Sequence, residues 1–305
     1  METKLTITQY TDPICIWCYA LDPALRKIEF LIPEQVKFRS VLGLLVGDAK
    51  EIIGDDSLSG VRFAQLKTEM KGHFKEAADR GGIPISIKHM DVIRPEDVTS
   101  LPACRAVASM KLLDEHIANR YLRRIREGFH SDGLNTSDEN VLRELAKEFP
   151  IDQQKFLENL KNGMAHESLE MDIAICRKSG VRAFPTMKLE YGEKSRTIQG
   201  YVDYDTLKKA IENLTDGEIR LHEREFSLEA LSEYVTYFKR VAAIEIQTAF
   251  SLDGKALDSA VKQLLESGLF QMKECGESYF VYSLSNVGTC DSATGVCQMV
   301  SVPKQ

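Results

Sequence analysis

Apolar and polar residues alternate from Leu5 to Thr8 and again from Val36 to Leu42, the period-two pattern of strands with one buried face. Between them Ala24, Leu25, Ile28 and Phe30 mark a helix, so the chain opens as a β-α-β crossover whose two strands run parallel. From Asp48 to about Gly180 the period becomes helical. Phe63, Leu66, Met70, Phe74 and Ala77 share one face, and Gly81-Gly82 with Pro84 ends that segment. Ile85 to Val92 follows neither period and is read as irregular. Pro102 fits the first turn of a helix, where its missing N–H costs little. Further stripes lie at Ile117, Tyr121, Leu122, Ile125 and Phe129, and at Val141, Leu142 and Leu145 behind the cap Asn135-Thr136-Ser137-Asp138. Two more lie around Phe156-Leu157-Leu160 and Leu169-Ile173-Cys176. No period recurs among them, which describes a helical subdomain and not a repeat array.

Strand chemistry returns at Gly180. Two short β runs joined by Tyr191-Gly192-Glu193 predict a hairpin, closed by a helix from Asp203 to Asn213. Thr215 to Glu225 is polar and reads as a linker or domain edge. Beyond it come a helix with Leu228, Leu231 and Val235, a shorter one over Ala242 to Phe250, a third carrying Leu257, Val261, Leu264 and Leu265, and a strand pair turning at Cys275-Gly276. Helix, helix, turn, helix, hairpin is the order of a winged helix. The predicted organisation is therefore an α/β unit over residues 1–218 with a helical insertion over about 48–180, a small α+β winged-helix-like unit over 226–284, and a flexible tail over 285–305 that contains cysteines.

Composition changes this picture in two places. A net charge of −7 over 305 residues argues against general attraction to nucleic acid or anionic membrane. Residues 226–305 hold six Lys/Arg against nine Asp/Glu, a balance of −3, and the third helix offers only Lys255 and Lys262 among Asp258 and Glu266. The winged-helix order thus points to protein docking or dimerisation, with a purely structural cap as the alternative, and away from reading DNA. No apolar run is long enough to span a bilayer, and the first residues leave no room for a signal peptide, so the expected compartment is the cytoplasm. Seven cysteines there mean thiol chemistry and free thiols more than a disulfide framework.

The chemistry concentrates at Cys15 and Cys18, two residues apart where the first strand hands over to the first helix. Unpaired N–H groups and the positive dipole end of a helix favour a thiolate there. Cys15, at the outer edge of the turn, is the expected nucleophile, and Cys18, one turn further in, resolves its mixed disulfide. Trp17 between them suggests a surface that binds protein or peptide. Zinc is disfavoured because no second C-x-x-C and no His pair at ligand spacing occurs; His73, His89, His116, His130, His166 and His222 are scattered. No metal or bound cofactor is expected. Phe184-Pro185-Thr186 precedes a strand, where a trans proline is ordinary; a cis peptide would expose the Phe184 backbone to a substrate strand, and the C-x-x-C upstream favours that reading. Cys290 and Cys297, six residues apart in a Gly/Ser/Thr-rich tail, are either a second redox couple exchanging with Cys15 or two solvated thiols. Cys104 and Cys176 fall on apolar helical faces and are read as core, while Cys275 is left open.

The start Asp12 to Tyr19, the helix start Pro102 to Ala106, the cap Asn135 to Leu142 and the return Gly180 to Thr186 together resemble the DsbA-like branch of the thioredoxin superfamily, closest to its cytoplasmic FrnE-like and SpxH/YjbH-like members. That resemblance implies a thioredoxin fold with a large helical insertion. It also implies that Cys15 attacks and Cys18 resolves, with Phe184, Pro185 and Thr186 lining the face opposite the sulfurs. Some FrnE relatives carry an accessory cysteine pair in a C-terminal extension. DsbA has a His inside its C-x-x-C where this chain has Ile16-Trp17, which implies a less depressed Cys15 and a weaker oxidant. The expected function is protein dithiol–disulfide exchange or isomerisation, with glutathione or a thioredoxin system as electron partner. The alternatives are a redox-sensing protease adaptor and a kappa-class glutathione transferase, the latter opposed by Cys rather than Ser at the nucleophile position. Electron direction, client and oligomeric state stay open.

Overall fold

In the computed structural model, which describes residues 4–87 and 93–284, the first alternating run forms β1 (Leu5–Thr11) and the second β2 (Val36–Leu42), joined by α1 (Ile16–Leu31). The two strands pair in parallel with Leu5 opposite Val36 and Thr11 opposite Leu42. The return segment supplies β3 (Thr186–Tyr191) and β4 (Lys194–Gln199), an antiparallel hairpin whose β3 lies against the other edge of β1. The sheet order is β2-β1-β3-β4. Leu5 and Ile7 face Leu21, Leu25 and Ile28 of α1, and Leu207 and Ile211 of the closing helix α9 (Tyr204–Leu214), because alternate strand residues share a face. Asp203 caps α9 through the Thr206 N–H.

The insertion runs through α2 (Lys50–Ile53), α3 (Ser59–Gly81), α4 (Leu101–Lys111), α5 (Glu115–His130), α6 (Glu139–Ala146), α7 (Gln153–Lys161) and α8 (Met164–Lys178). Val107, Tyr121, Leu122, Ile125, Phe156 and Leu169 close a second core against Leu42. Asp114, Asp138 and Asp152 cap α5, α6 and α7, so polar residues just before each apolar stripe set where the helices start. Gly82 ends α3 in the left-handed region, at φ 63°. A Cβ at Gly82 would also lie 2.7 Å from the Ile244 side chain, so glycine is needed there twice over.

Residues 215–225 contain no helix or strand, yet they do not form a free linker. Thr215, Ile219 and Leu221 are buried, the two aliphatic residues within the first core, and Glu223 pairs with Lys27. The remaining elements are α10 (Leu228–Phe238), β5 (Arg240–Ala242), α11 (Ala243–Phe250), α12 (Gly254–Glu266), β6 (Phe270–Cys275) and β7 (Ser278–Ser283). The expected helices and hairpin are present. The short β5 is an addition, since three residues are too few to show a period; it gives a second sheet of order β5-β7-β6. This C-terminal unit has its own core, onto which Phe30 of α1 packs. No helix among the described residues is long and apolar enough to cross a membrane.

A candidate dithiol site

β1 ends at Thr11, and the next four residues turn the chain into α1, with the Cys15 N–H bonded to the Asp12 carbonyl at 3.3 Å. Cys15 is the N-cap of α1, in extended conformation, and its sulfur accepts the Cys18 N–H at 3.3 Å. That bond satisfies one of the helix's orphan donors with sulfur in place of the usual oxygen. The two thiols are free, and both are withdrawn from solvent: Cys15 is 5 % exposed and Cys18 0 %. The expectation of a sulfur at the outer edge of the turn is thus corrected. The cap position holds, but the sulfur there is buried.

Burial pushes the Cys15 thiol up, and its hydrogen bond with Cys18 pushes the same way. Burial also opposes ionisation of Cys18, but the Cys15 thiol and the charge of Arg126 outweigh it, so Cys18 lies below the ordinary thiol value. The contact between the sulfurs thus raises one thiol and lowers the other. Arg126 is buried behind the pair, donating to Thr11 Oγ1 and, at 2.8 Å, to Asp22 Oδ1.

Asp12, fully buried, anchors the front of the site. Its Oδ1 accepts the Ile14 N–H at 2.9 Å; its Oδ2 accepts the Leu45 N–H at 2.7 Å and the Cys104 thiol at 3.5 Å. Burial raises its carboxyl above the usual carboxylate range against the pull of these bonds. The Leu45 bond helps hold the neighbouring Leu44 in the left-handed region, at φ 55°. Cys104 is core as expected, but it also reaches the dithiol turn.

Thr186 lies opposite Tyr10 in the sheet register, which brings the Phe184-Pro185 junction to the end of the sheet where α1 begins. The Phe184–Pro185 peptide is cis. Pro185 and Thr186 are buried, and the Pro185 carbonyl accepts the Gly200 N–H at 2.7 Å. Phe184 is half-buried beside Tyr10, Val41 and Cys176, and its ring fills the space a Cβ at Gly43 would need. Trp17 is also half-buried: its ring centroid is 5.9 Å from that of Tyr201, and the Arg80 guanidinium lies 5.1 Å away. Cys176 is buried in that same cluster, and half-buried Cys275 bonds the Ser131 carbonyl at 3.4 Å. Cys290 and Cys297 lie outside the described residues. Among the described residues no group of three or more His, Cys, Asp or Glu is placed to hold a metal.

The dithiol at the N-cap of α1 and the cis proline thus lie at one end of a β-α-β plus hairpin sheet, and residues 9–209 match a family model described as thioredoxin. The chain belongs to the thioredoxin family. Within it the chain has the DsbA-like form, with helices α2 to α8 inserted between β2 and β3. Similar thioredoxin-fold structures include a candidate protein disulfide isomerase from Nitrosomonas europaea, with TM-score 0.59, 19 % identity, and coverage of 71 % of this chain and 100 % of that one. The cytosolic disulfide reductase DsbM from Pseudomonas aeruginosa gives TM-score 0.52 and 20 % identity over 69 % and 95 %. Among curated relatives, the ClpXP adapter protein SpxH of Bacillus subtilis (strain 168) is 23 % identical over 289 residues, covering 93 % of this chain and 91 % of its own length. SpxH of Halalkalibacterium halodurans is 22 % identical over 275 residues, covering 88 % and 85 %.

Proposed function

We propose that this thioredoxin-family chain is an adaptor that presents a client protein to ClpXP, with Cys15 and Cys18 as a shielded redox sensor. The observation that carries the reading is the extent of the relatedness to proteins described as ClpXP adapters. It spans 93 % of the chain and so takes in most of residues 226–305, whereas the disulfide-exchange neighbours cover 71 % and 69 %. Supporting it, neither sulfur is open to an incoming protein disulfide, at 5 % and 0 % exposure. The C-terminal unit is read as a winged-helix-like docking module. Its order α10-β5-α11-α12-β6-β7 and its sheet order β5-β7-β6 favour that description, and its acidic balance favours a protein partner over nucleic acid. The proposed place of action is the cytoplasm.

A second reading, protein dithiol–disulfide exchange, is favoured by the Cys15 cap bond, the lowered Cys18 and the cis proline. In it the lowered Cys18 takes the Cys15 proton as Cys15 attacks a client disulfide, the first client sulfur leaves as a thiolate and takes that proton, and Cys18 displaces the second to leave a Cys15–Cys18 disulfide and a reduced client. The readings separate in one experiment. Client degradation by ClpXP and insulin reduction are measured for the wild type and for Cys15→Ser. Degradation that depends on the chain and survives the substitution, with negligible insulin reduction by the wild type, supports the adaptor. Insulin reduction that is lost in Cys15→Ser, with no effect of the chain on degradation, supports the enzyme and sinks the adaptor.

A further inference from the structure

A cleft of about 1530 Å³ is lined by residues of β1, β2, α1, α5 and the C-terminal unit. The face of β1 that supplies Gln9 to it is unusual for a sheet face. Leu5 and Ile7 are apolar, but the same face of β1 continues as Gln9 and Thr11, about 7 Å apart along the strand. Thr11 Oγ1 holds one end of the Arg126 guanidinium and Asp22 another. Gln9 and Arg126 are 6 % and 2 % exposed, and both line the cleft. Gln9 Nε2 and Arg126 Nε have no hydrogen-bond partner among the described residues. A buried donor left without an acceptor is costly, so two of them on residues that line one cavity mark the place of an acceptor from outside the chain.

Twelve Lys/Arg and eight Asp/Glu line the cleft, and the cations include a close pair. Exposed Lys239 stands beside Arg120, and partial burial and then that guanidinium hold its ammonium below the usual lysine range. Lys239 also adopts the left-handed backbone region, at φ 65°, a conformation that persists only where its surroundings impose it. Lys239 and Arg120 both line the cleft, in a chain whose net charge is −7. The cleft is larger than a phosphate or carboxylate group needs, so the anion is the anchoring end of a larger ligand.

We propose that this cleft binds a ligand through an oxyanion, phosphate or carboxylate, seated on the Gln9 Nε2–H and Arg126 Nε–H groups with Lys239 at its mouth. Inorganic phosphate and succinate are titrated separately into the full-length protein at constant ionic strength set with chloride. The side-chain amide and arginine Nε–H resonances are followed by proton–nitrogen NMR. At least one anion shifts the Gln9 amide and the Arg126 Nε–H saturably; a response to one alone supports the site and assigns its chemistry. Gln9→Leu weakens that binding about tenfold or more, the size of one hydrogen bond to a charged group. It does not lower the melting temperature of the ligand-free protein, because it removes an orphaned donor without changing side-chain bulk much. Lys239→Gln, whose folding is checked by its melting temperature, weakens binding severalfold and decides the matter if Gln9→Leu does not fold. The proposal is overturned if neither anion moves these resonances at tens of millimolar, or if the folded variants bind with wild-type affinity.

Discussion

Asp12 decides more of the dithiol site than either sulfur does. Its two oxygens fix the Ile14 N–H of the turn, the Leu45 N–H of the loop after β2 and the Cys104 thiol of α4, and no ion pair with a cation is found for it among the described residues. Hydrogen bonds alone therefore hold a fully buried carboxyl in place. Asp12→Asn turns one acceptor into a donor that meets another donor, either a backbone N–H or the Cys104 thiol. The expected cost is about 1–3 kcal/mol in urea unfolding, the penalty of a buried polar group left unmatched. Loosening of the Leu44-Leu45 loop also speeds Cys15 alkylation by a small thiol reagent. Unchanged stability together with unchanged alkylation would count against Asp12 as the anchor. At this scale the sequence was legible where signals are local: the C-x-x-C at a strand-to-helix handover and the proline before β3 stand out by spacing alone. The partners of Asp12 were not, because Leu45 and Cys104 lie 33 and 92 residues away and carry no motif of their own. Nor did spacing show that the thiols would be covered, since burial depends on loops that obey no period.

Among the elements, helix starts, the hairpin and the return at Gly180 followed from apolar period and capping residues; the junction between α1, α5 and β5-α11 did not. That junction is ionic. Glu245 of α11 pairs with Arg26 of α1 and Arg123 of α5, each at 3.0 Å, and Arg240 of β5 pairs with Glu127 and Asp132. In sequence these residues read as ordinary surface charges, and only the third dimension buries them. Burial raises the Glu127 carboxyl, but Arg240, Arg123, Arg26 and Arg124 outweigh it and leave it lowered. Asp132 is lowered in the same way, mainly through Arg240. Both folded values lie below their unfolded ones, so their stabilisation is present above the unfolded values near pH 4 and is lost as pH falls through the folded ones. Acid is therefore expected to release β5 and α11 first. Hydrogen exchange, corrected for its intrinsic pH dependence, should show β5 amides losing protection as pH falls from about 5 to about 2, before the interior amides of α4 do. Simultaneous loss, or none, would mean that this junction does not depend on the two carboxylates.

For the whole molecule, the question is whether the thioredoxin-like and C-terminal units stand or fall together. Each has its own apolar core, but Phe30 and Ile244 cross between them and the Arg26–Glu245 contact joins residues 219 apart. A polar stretch at residues 215–225 suggested independence; its burial against the first core argues for coupling. Trp17 is the chain's single tryptophan and lies in the thioredoxin-like unit, so its fluorescence reports that unit, while far-UV circular dichroism reports both. In the wild type the two probes should trace one coincident urea transition. Glu245→Ala then leaves Arg26 and Arg123 short of a buried partner at the junction, a loss of about 3–5 kcal/mol for a buried pair. That loss falls on the junction and not on the dithiol end of the sheet. Part of the circular dichroism signal is therefore expected to disappear at lower urea than the Trp17 transition, separating curves that coincide in the wild type. If both probes instead shift together by the same amount, cooperativity is carried by the apolar contacts of Phe30 and Ile244, and the charged junction only orients units that would be coupled without it.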